Sequence, residues 1–280
     1  MKIGITGATG QLGTLALEQL KSRTDAANLV ALVRSPEKIK EVDAKAFDYD
    51  KPEGLAESLK GIDSLLLISG NEIGQRARQH ENVIKAAKEA GVKWLIYTSI
   101  LKADSSTISL AAEHLATEKL LKASGIPFTI LRNGWYTENY TGSISGALSA
   151  GTFIGSAEDG KISSAVRADF AEAIAVVLTT DGHEGKIYEL AGDEAYTLSE
   201  LAAEISKQSN KDIPYQNLPE EEYSKALKGM GLPEGIADAI ASWDVSASKG
   251  DLHSEDNTLS KLIGRPTKSL SYAVKEALDK

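Results

Sequence analysis

The sequence predicts an α/β fold, a doubly wound parallel sheet with a smaller, mostly helical C-terminal lobe. Three observations predict it. Short, near-continuous apolar runs alternate with helical patterns through the first half of the chain, as parallel strands covered by helices on both faces do. Gly91 and Gly125 each follow a helical run and precede a strand-like one, where a helix C-terminus favours the left-handed region that glycine enters freely. The first apolar run passes directly into three glycines and then a helix, and ligands of such folds bind where strands end.

The first element, residues 2–6, carries β-branched Ile3, Ile5 and Thr6. KIGITGATGQLG then sets glycines at 7, 10 and 13, and residues 11–23 turn helical, with Leu12, Leu15, Ala16 and Leu20 on one face. Gly7 allows a tight turn. Gly10 leaves the backbone open to a pyrophosphate. Gly13 lets the helix pack close to the strand. The helix N-terminus adds unpaired N–H groups and a positive dipole end. The spacing G-x-x-G-x-x-G is a variant of the dinucleotide fingerprint. Gly7, Ala8, Thr9, Gly10, Gln11 and Leu12 are its candidate cofactor residues.

The next strand, LVALV at 29–33, ends in Arg34, with Ser35 and Lys38 following. An acid at this place would hydrogen-bond the ribose of NAD and repel a 2′-phosphate. An arginine can grip that phosphate with two hydrogen bonds, so NADP (NADPH) is the expected cofactor. Strand patterns follow at 45–49, 65–68, 94–98 and 128–131, and helical patterns at 53–60, 80–90 and 109–124. Ser69-Gly70-Asn71, Thr98-Ser99 and Asn133-Gly134 put small polar residues at strand ends, where they can line a cleft.

After Leu131 the rhythm changes. Residues 133–146 are rich in Gly, Asn, Ser and aromatics. One more strand is expected at 186–190, and helices at 168–178, 198–208, 220–228, 233–241 and 269–278. The expected division is a cofactor domain over 1–132, to which the chain returns around 153–192, and a substrate-side lobe of 133–152 and 193–280.

Composition narrows the function. Of 280 residues, 42% are hydrophobic and 25% charged, ordinary for a globular protein. A net charge of −9 gives no support to nucleic-acid binding, which favours a basic face. The absence of cysteine excludes disulfides, thiolate metal sites and a cysteine nucleophile. The apolar start stops at Ile5, unlike a signal peptide, and no run approaches the roughly 20 apolar residues of a membrane span. A cytoplasmic location is the expectation. His80, His114, His183 and His253 are dispersed, so no metal site is expected. GSAEDGK at 155–161 imitates a P-loop, but Ile162 stands where a Ser or Thr would hold Mg²⁺. GSISG at 142–146 has Ile144 where a nucleophile elbow needs serine.

Longer stretches carry a resemblance. GATGQLG, the arginine of LVRSPEK, EIGQRARQHENVIKAAKEAGVKWLIYTS, GIPFTILRNGWYTENY, FIGSAEDGKISSAVRADFAEA, KIYELAG and LSKLIGRPT together resemble the NmrA-like, atypical short-chain dehydrogenase family over nearly the whole chain. The resemblance implies a Rossmann domain, NADPH, a small-molecule quinone substrate and no flavin. It implies cofactor contacts at residues 7–12, at Arg34, at Gly74, Gln75 and Arg76, at Gly134, Trp135, Tyr136, Glu138 and Asn139, and at Arg167. A homodimer is compatible with it. The family also holds members that bind NADP as redox-sensing regulators without turnover, and that is the alternative function.

Ordinary short-chain dehydrogenases use a Tyr-x-x-x-Lys dyad on the helix after the fifth strand. Here that helix reads SLAAEHLATEKLLKAS, with no tyrosine, and with His114 and Lys119 five apart, off a common face. In the isoflavone-reductase-like relatives a lysine acts on this helix, and His114 falls at its position. That makes His114 a candidate proton donor; the other reading is a histidine hydrogen-bonded beneath the cleft. Chemistry decides how much the missing tyrosine matters. Ketone reduction creates a strongly basic alkoxide that needs a positioned acid. Quinone reduction creates a phenolate, whose conjugate acid resembles tyrosine's, with a pKa near 10, and which needs less help. A flat acceptor stacked on a nicotinamide is activated largely by proximity and orientation. Trp135, Tyr136 and Tyr140 are candidates for a pocket floor or for lobe–lobe packing. The expected function is NADPH-dependent quinone reduction by direct hydride transfer.

Overall fold

In the computed structural model, residues 1–279 are described. Apolar runs such as Ile3–Thr6, Leu29–Val33 and Trp94–Ile100 become strands, and the amphipathic stretches between them helices. In chain order these are β1 (Ile3–Thr6), α1 (Gln11–Lys21), β2 (Leu29–Val33), β3 (Asp43–Ala46), α2 (Leu55–Ser58), β4 (Ser64–Leu67), α3 (Arg76–Ala90), β5 (Trp94–Ile100), α4 (Ala111–Ser124) and β6 (Phe128–Asn133). There follow α5 (Glu138–Thr141), α6 (Ile144–Ala150), β7 (Phe153–Gly155), α7 (Arg167–Thr179), β8 (Ile187–Leu190), α8 (Leu198–Ser209), β9 (Tyr215–Asn217), α9 (Glu220–Gly229), α10 (Glu234–Ser248), α11 (Thr258–Ile263) and α12 (Leu270–Leu278). Two units result. The first comprises residues 1–104, 110–133 and 167–190; the second comprises 105–109, 134–166 and 191 onward. The chain's return to the first unit is thus narrower than 153–192.

The first unit holds a seven-stranded sheet in the order β3-β2-β1-β4-β5-β6-β8, parallel throughout. The order reverses between β1 and β4, the place where doubly wound folds open a crevice for a ligand. Strand alternation sorts the core. Leu65 and Leu67 of β4 join Val83 and Ala87 of α3 and Leu121 of α4 in one apolar cluster. A Cβ on Gly4 would point toward Leu32 and Leu65 of that cluster, so Ile3 and Ile5 turn to the opposite face. Gly91 and Gly125 close α3 and α4 with φ of 74° and 81°.

A buried charge cluster fixes the far side of the sheet. Arg132, only 5% exposed, donates from Nε and Nη2 to the two oxygens of fully buried Glu118 at 2.9 and 2.8 Å. Its Nη1 donates to Glu189 at 2.8 Å and Asp104 at 3.0 Å, and Ser99 adds a hydrogen bond to Glu118. The hydrogen bonds to Glu118, foremost, raise the guanidinium's pKa. Arg132 so ties the end of β6 to α4, β8 and the segment after β5, and Ser99 joins β5 to the cluster through Glu118.

Four local differences from the sequence reading have physical causes. The expected strand at 45–49 lies at Asp43–Ala46, on the sheet edge; Phe47 and Tyr49 follow it, packing into or against the core. α3 starts at Arg76, before the first apolar repeat, because Arg76 is buried by polar contacts. Residues 133–146, to which the sequence pattern assigns no element, hold α5 and the start of α6, anchored by buried Tyr140 and Ile144. α10 runs to Ser248 rather than Ala241, because Asp244, a polar interruption of its pattern, is 3% exposed.

Asp244 stands in the second unit, with the β7–β9 pair, α5, α6 and α8–α12. Its carboxylate accepts from the Tyr140 hydroxyl and the Ser156 N–H, both at 3.0 Å. Burial pushes its pKa up to about 6, against the lowering effect of those two hydrogen bonds. A raised folded-state pKa contributes stability that is fully present below the unfolded value and is lost as pH rises through about 6. Asp244→Asn, which keeps the shape without the charge, should therefore raise the melting temperature at pH 7.5 by several degrees. A carboxyl raised to about 6 from its ordinary range corresponds to at most about 2–3 kcal/mol. The difference should shrink steadily toward pH 4; an equal difference at both pH values in thermal melts would refute this.

Candidate functional site

The turn after β1 is built around missing side chains. Gly7 has φ of +60°, and its carbonyl accepts from the Gly10 N–H at 2.8 Å. A Cβ on Gly13 would lie 2.1 Å from that same oxygen, and one on Gly10 would lie 3.2 Å from it. Gly13 therefore lets α1 press against the turn, while Gly10 keeps its outer side clear. Ala8 and Leu12 point into the core, whereas Thr9, Gly10 and Gln11 are exposed. The Thr14 hydroxyl closes the turn from inside, donating to the Ala8 carbonyl at 3.2 Å. The first amides of α1 have no carbonyl one turn back and emerge beside this open glycine, at the point where strand order reverses. That cradle fits a pyrophosphate.

Arg34 is exposed at the end of β2, the strand paired with β1. Across from it lies Asp50. Hydrogen bonding from Arg78 foremost, then from Gln79, with the charges of Arg78 and Arg34 behind them, holds the Asp50 carboxyl below its ordinary range. Arg78 is the guanidinium that pairs with this carboxylate, and the charge of Arg34 acts on it only through space. Arg78 was not among the residues singled out from sequence; as one of several charges on α3 it carried no distinguishing signal.

The predicted contacts Gly74, Gln75 and Arg76 divide. Gly74 and Gln75 are exposed, on the segment after β4, next to β1 in the sheet. Arg76 is 4% exposed, and its guanidinium faces inward. Its Nε donates to the Gly70 carbonyl at 2.8 Å and its Nη1 to Glu113 Oε2 at 2.7 Å. Its charge thus holds the segment and is not presented at the surface.

His114 is 5% exposed, with Nδ1 2.7 Å from the Tyr97 hydroxyl. Burial, the charge of Arg76 and the neighbouring His80 lower its pKa well below the ordinary value, so the ring is neutral in the physiological range. His80, Tyr97 and His114 continue a file of ring contacts from Phe47 and Tyr49, with centroids 5.4–6.1 Å apart. A proton leaving His114 would start from a neutral imidazole, a far weaker acid than imidazolium. Lys119 is exposed, away from this file.

In the second unit, Gly134 is buried and Asn139 exposed, while Trp135, Tyr136 and Glu138 are half-buried. Tyr136 bridges to Ala165 by backbone pairing. The Trp135 ring meets Trp243 edge-on at 5.5 Å, and Trp243 Nε1 donates to Ser109 at 3.0 Å. Tyr140 belongs to the interior, donating to Asp244, so Trp243 rather than Tyr140 shares the half-exposed aromatic surface with Trp135. Sequence reasoning missed Trp243 because 108 positions separate it from its partner. Arg167 is the first residue of α7, in the first unit. In GSAEDGK, a Cβ on Gly160 would lie 2.4 Å from the Ala247 carbonyl, so that glycine serves the packing of α10. Among the described residues no three His, Asp or Glu side chains are grouped to hold a metal ion.

A family model described as NAD(P)H-binding matches residues 7–181. The chain is 54% identical to quinone oxidoreductase 2 of Escherichia coli over 97% of each chain. It superimposes on the crystal structure of the NADPH-dependent quinone oxidoreductase of Escherichia coli complexed with NADPH with a TM-score of 0.96, at 53% identity and 99% coverage of both chains. It is also 30% identical to an NmrA-like family domain-containing oxidoreductase of Aspergillus flavus, over 99% of this chain and 95% of that one.

The two inner glycines should fail differently. Gly10→Val fills the outer side of the turn, with a fold that survives; nucleotide binding should disappear in calorimetry while the melting temperature falls only slightly. Gly13→Ala places a carbon 2.1 Å from the Gly7 oxygen, so it should cost several kcal/mol of stability, on the order of the larger single-site effects, read in a thermal melt. Tight nucleotide binding by folded Gly10→Val would remove the turn from the site.

Proposed function

The chain belongs to the NAD(P)H-binding, NmrA-like family, and from that premise we propose that it is an NADPH-dependent quinone oxidoreductase that works by direct hydride transfer without flavin. One observation carries the reading: an open glycine turn with Arg34 on the neighbouring strand end, in a chain 54% identical to a quinone oxidoreductase along almost its whole length. The bound dinucleotide supplies a hydride to the quinone, and one proton from solvent or a nearby group completes the hydroquinone.

The residues then have separable tasks. Gly7 to Leu12 hold the pyrophosphate with backbone N–H groups and the dipole of α1. Arg34 takes the 2′-phosphate, with Arg78, paired to Asp50, as a second positive charge near it. The segment around Gly74 and Gln75 and the stretch Gly134 to Asn139, with Arg167, complete the cofactor contacts. Trp135 and Trp243 offer flat apolar rings to a flat acceptor. His114 supports the edge through Tyr97, and the phenolate product asks little of a general acid. No helix among the described residues is long and apolar enough to cross a membrane. A cytoplasmic enzyme, active as a homodimer, is the form this reading takes, and light scattering of the purified protein tests the dimer.

Cofactor choice is the first check. NADPH should bind more tightly than NADH, and Arg34→Asp should reduce or reverse the preference by ten- to a hundredfold, since a hydrogen bond to a charged group is worth about 1.5–3 kcal/mol. Equal affinity of the unmodified protein for both cofactors would count against it.

Turnover is the second. Purified protein with NADPH and a panel of benzoquinones and naphthoquinones should consume NADPH, measured by absorbance against a no-protein control. Simple ketones should react poorly and chelators should have no effect. NADP binding without quinone-dependent NADPH loss across the panel would instead identify a redox-sensing regulator.

A further inference from the structure

We propose that Glu113 is a positioning residue for the cofactor: through the Arg76 guanidinium and the Gly74 N–H it sets the shape of segment 69–75, which forms the nicotinamide side of the dinucleotide edge. The proposal rests on the reading that NADPH lies across these strand ends.

Sheet order gives the segment its place. Arg34, on β2, marks the adenosine side, and the glycine turn after β1 marks the pyrophosphate. β4 flanks β1 on the side away from β2, so the remaining half of a dinucleotide extends toward the ends of β4 and β5. The segment that leaves β4 is residues 69–75, exposed from Asn71 to Gln75. Beyond one backbone turn, Gln75 N–H to the Glu72 carbonyl at 3.2 Å, and holds from Thr98 on the Ser69 N–H and from Gln79 on the Glu72 side chain, its shape depends on what grips its two ends.

The grips converge on α4. Glu113 uses both carboxylate oxygens: Oε1 accepts from the Gly74 N–H at 2.8 Å and Oε2 from Arg76 Nη1 at 2.7 Å. Arg76 then reaches the other end of the segment, donating from Nε to the Gly70 carbonyl. The Gly70 N–H donates to His80 Nε2 at 2.9 Å. That nitrogen must be the acceptor, so the ring proton sits on Nδ1, which donates to Thr117 Oγ1 at 3.0 Å. The Thr117 hydroxyl in turn donates to the Glu113 carbonyl at 3.1 Å. Burial first, then the Arg76 charge, takes the His80 pKa down to about 3, so this neutral tautomer persists at any working pH. Both ends of an exposed segment are thus held by side chains that lead to one turn of one helix. Arg76 is buried, and an ion pair there is strongly directional.

Glu113→Gln keeps the shape but turns an amide NH₂ toward one of two N–H donors, so one grip must open. NADPH, and 2′,5′-ADP as a probe of the adenosine side alone, are titrated into the unmodified protein and the variant, and initial rates are measured with a quinone. The variant should bind NADPH ten- to a hundredfold more weakly. Its affinity for 2′,5′-ADP should stay within twofold, while kcat at saturating NADPH should fall severalfold, because the nicotinamide side is no longer held in one shape. Arg76→Lys keeps the charge but cannot reach Gly70 and Glu113 together; it should change the same constants in the same direction, and serves if Glu113→Gln does not fold. Unchanged NADPH affinity in a folded variant overturns the proposal. So does an equal loss for NADPH and 2′,5′-ADP, which a merely structural role would give. An unmodified protein that binds neither nucleotide overturns the functional reading, and this proposal with it.

Discussion

The approach of α1 to the turn after β1 is the constraint on which the site depends. Only a residue without a Cβ can stand at Gly13, 2.1 Å from the Gly7 oxygen on that vector. Because α1 is pressed there, its first amides emerge at the edge of β1 and not a turn further along. Because β1 lies where strand order reverses, those amides face the crevice and not a neighbouring crossover. Arg34 and segment 69–75 then fall on opposite sides of the turn simply because β2 and β4 are the two neighbours of β1. A larger residue at 13 would displace the helix start, and each of these relations with it.

Below this edge the sheet is held by apolar packing; at the edge it is held by charge. Arg132 with Glu118, and Arg76 with Glu113, are the two fasteners. Burying such pairs is not in itself stabilising, since desolvation can match or exceed the attraction. Their contribution here is direction. An apolar contact tolerates sliding, whereas a carboxylate with both oxygens engaged adds geometric specificity and fixes a loop in one shape. Strand ends and the loops beyond them carry no regular hydrogen-bond ladder, so a fold that must present a loop in one shape uses ion pairs where the ladder stops.

This division explains what was legible in the sequence. Strands such as 29–33, the helices, and glycine caps at 91 and 125 follow from periodicity and backbone sterics, which are local. The glycine turn was legible because its requirement is the absence of atoms, which a sequence displays directly. Arg34 was legible through its register with that turn. The direction of the Arg76 side chain was not, because the partner that turns it inward, Glu113, lies on another helix. The stretch 45–49 misled because Phe47 and Tyr49 are apolar for the sake of the core they plug, beyond the strand's end. Trp243 and Asp244 look like ordinary positions of α10 until folding brings Trp135 and Tyr140 to them.

The same electrostatics bear on how a reductase can do without the tyrosine–lysine dyad. His80 and His114 are held neutral by burial and by Arg76, and burial raises the pKa of the Tyr97 hydroxyl between them. None of these groups gives up a proton easily, so the edge is poor in acids, although four titratable side chains meet there. An alkoxide forming above it would find no ready donor; a phenolate can leave as the anion and collect its proton from water. What the edge does supply is shape: rings packed edge to face, a histidine fixed in one tautomer, and an exposed segment tied down at both ends. Hydride transfer to a quinone depends chiefly on the alignment of two flat rings. A rigid, acid-poor edge suits that reaction and disfavours carbonyl reduction, so the interactions that make the histidines unsuitable as acids are also those that make the edge stiff.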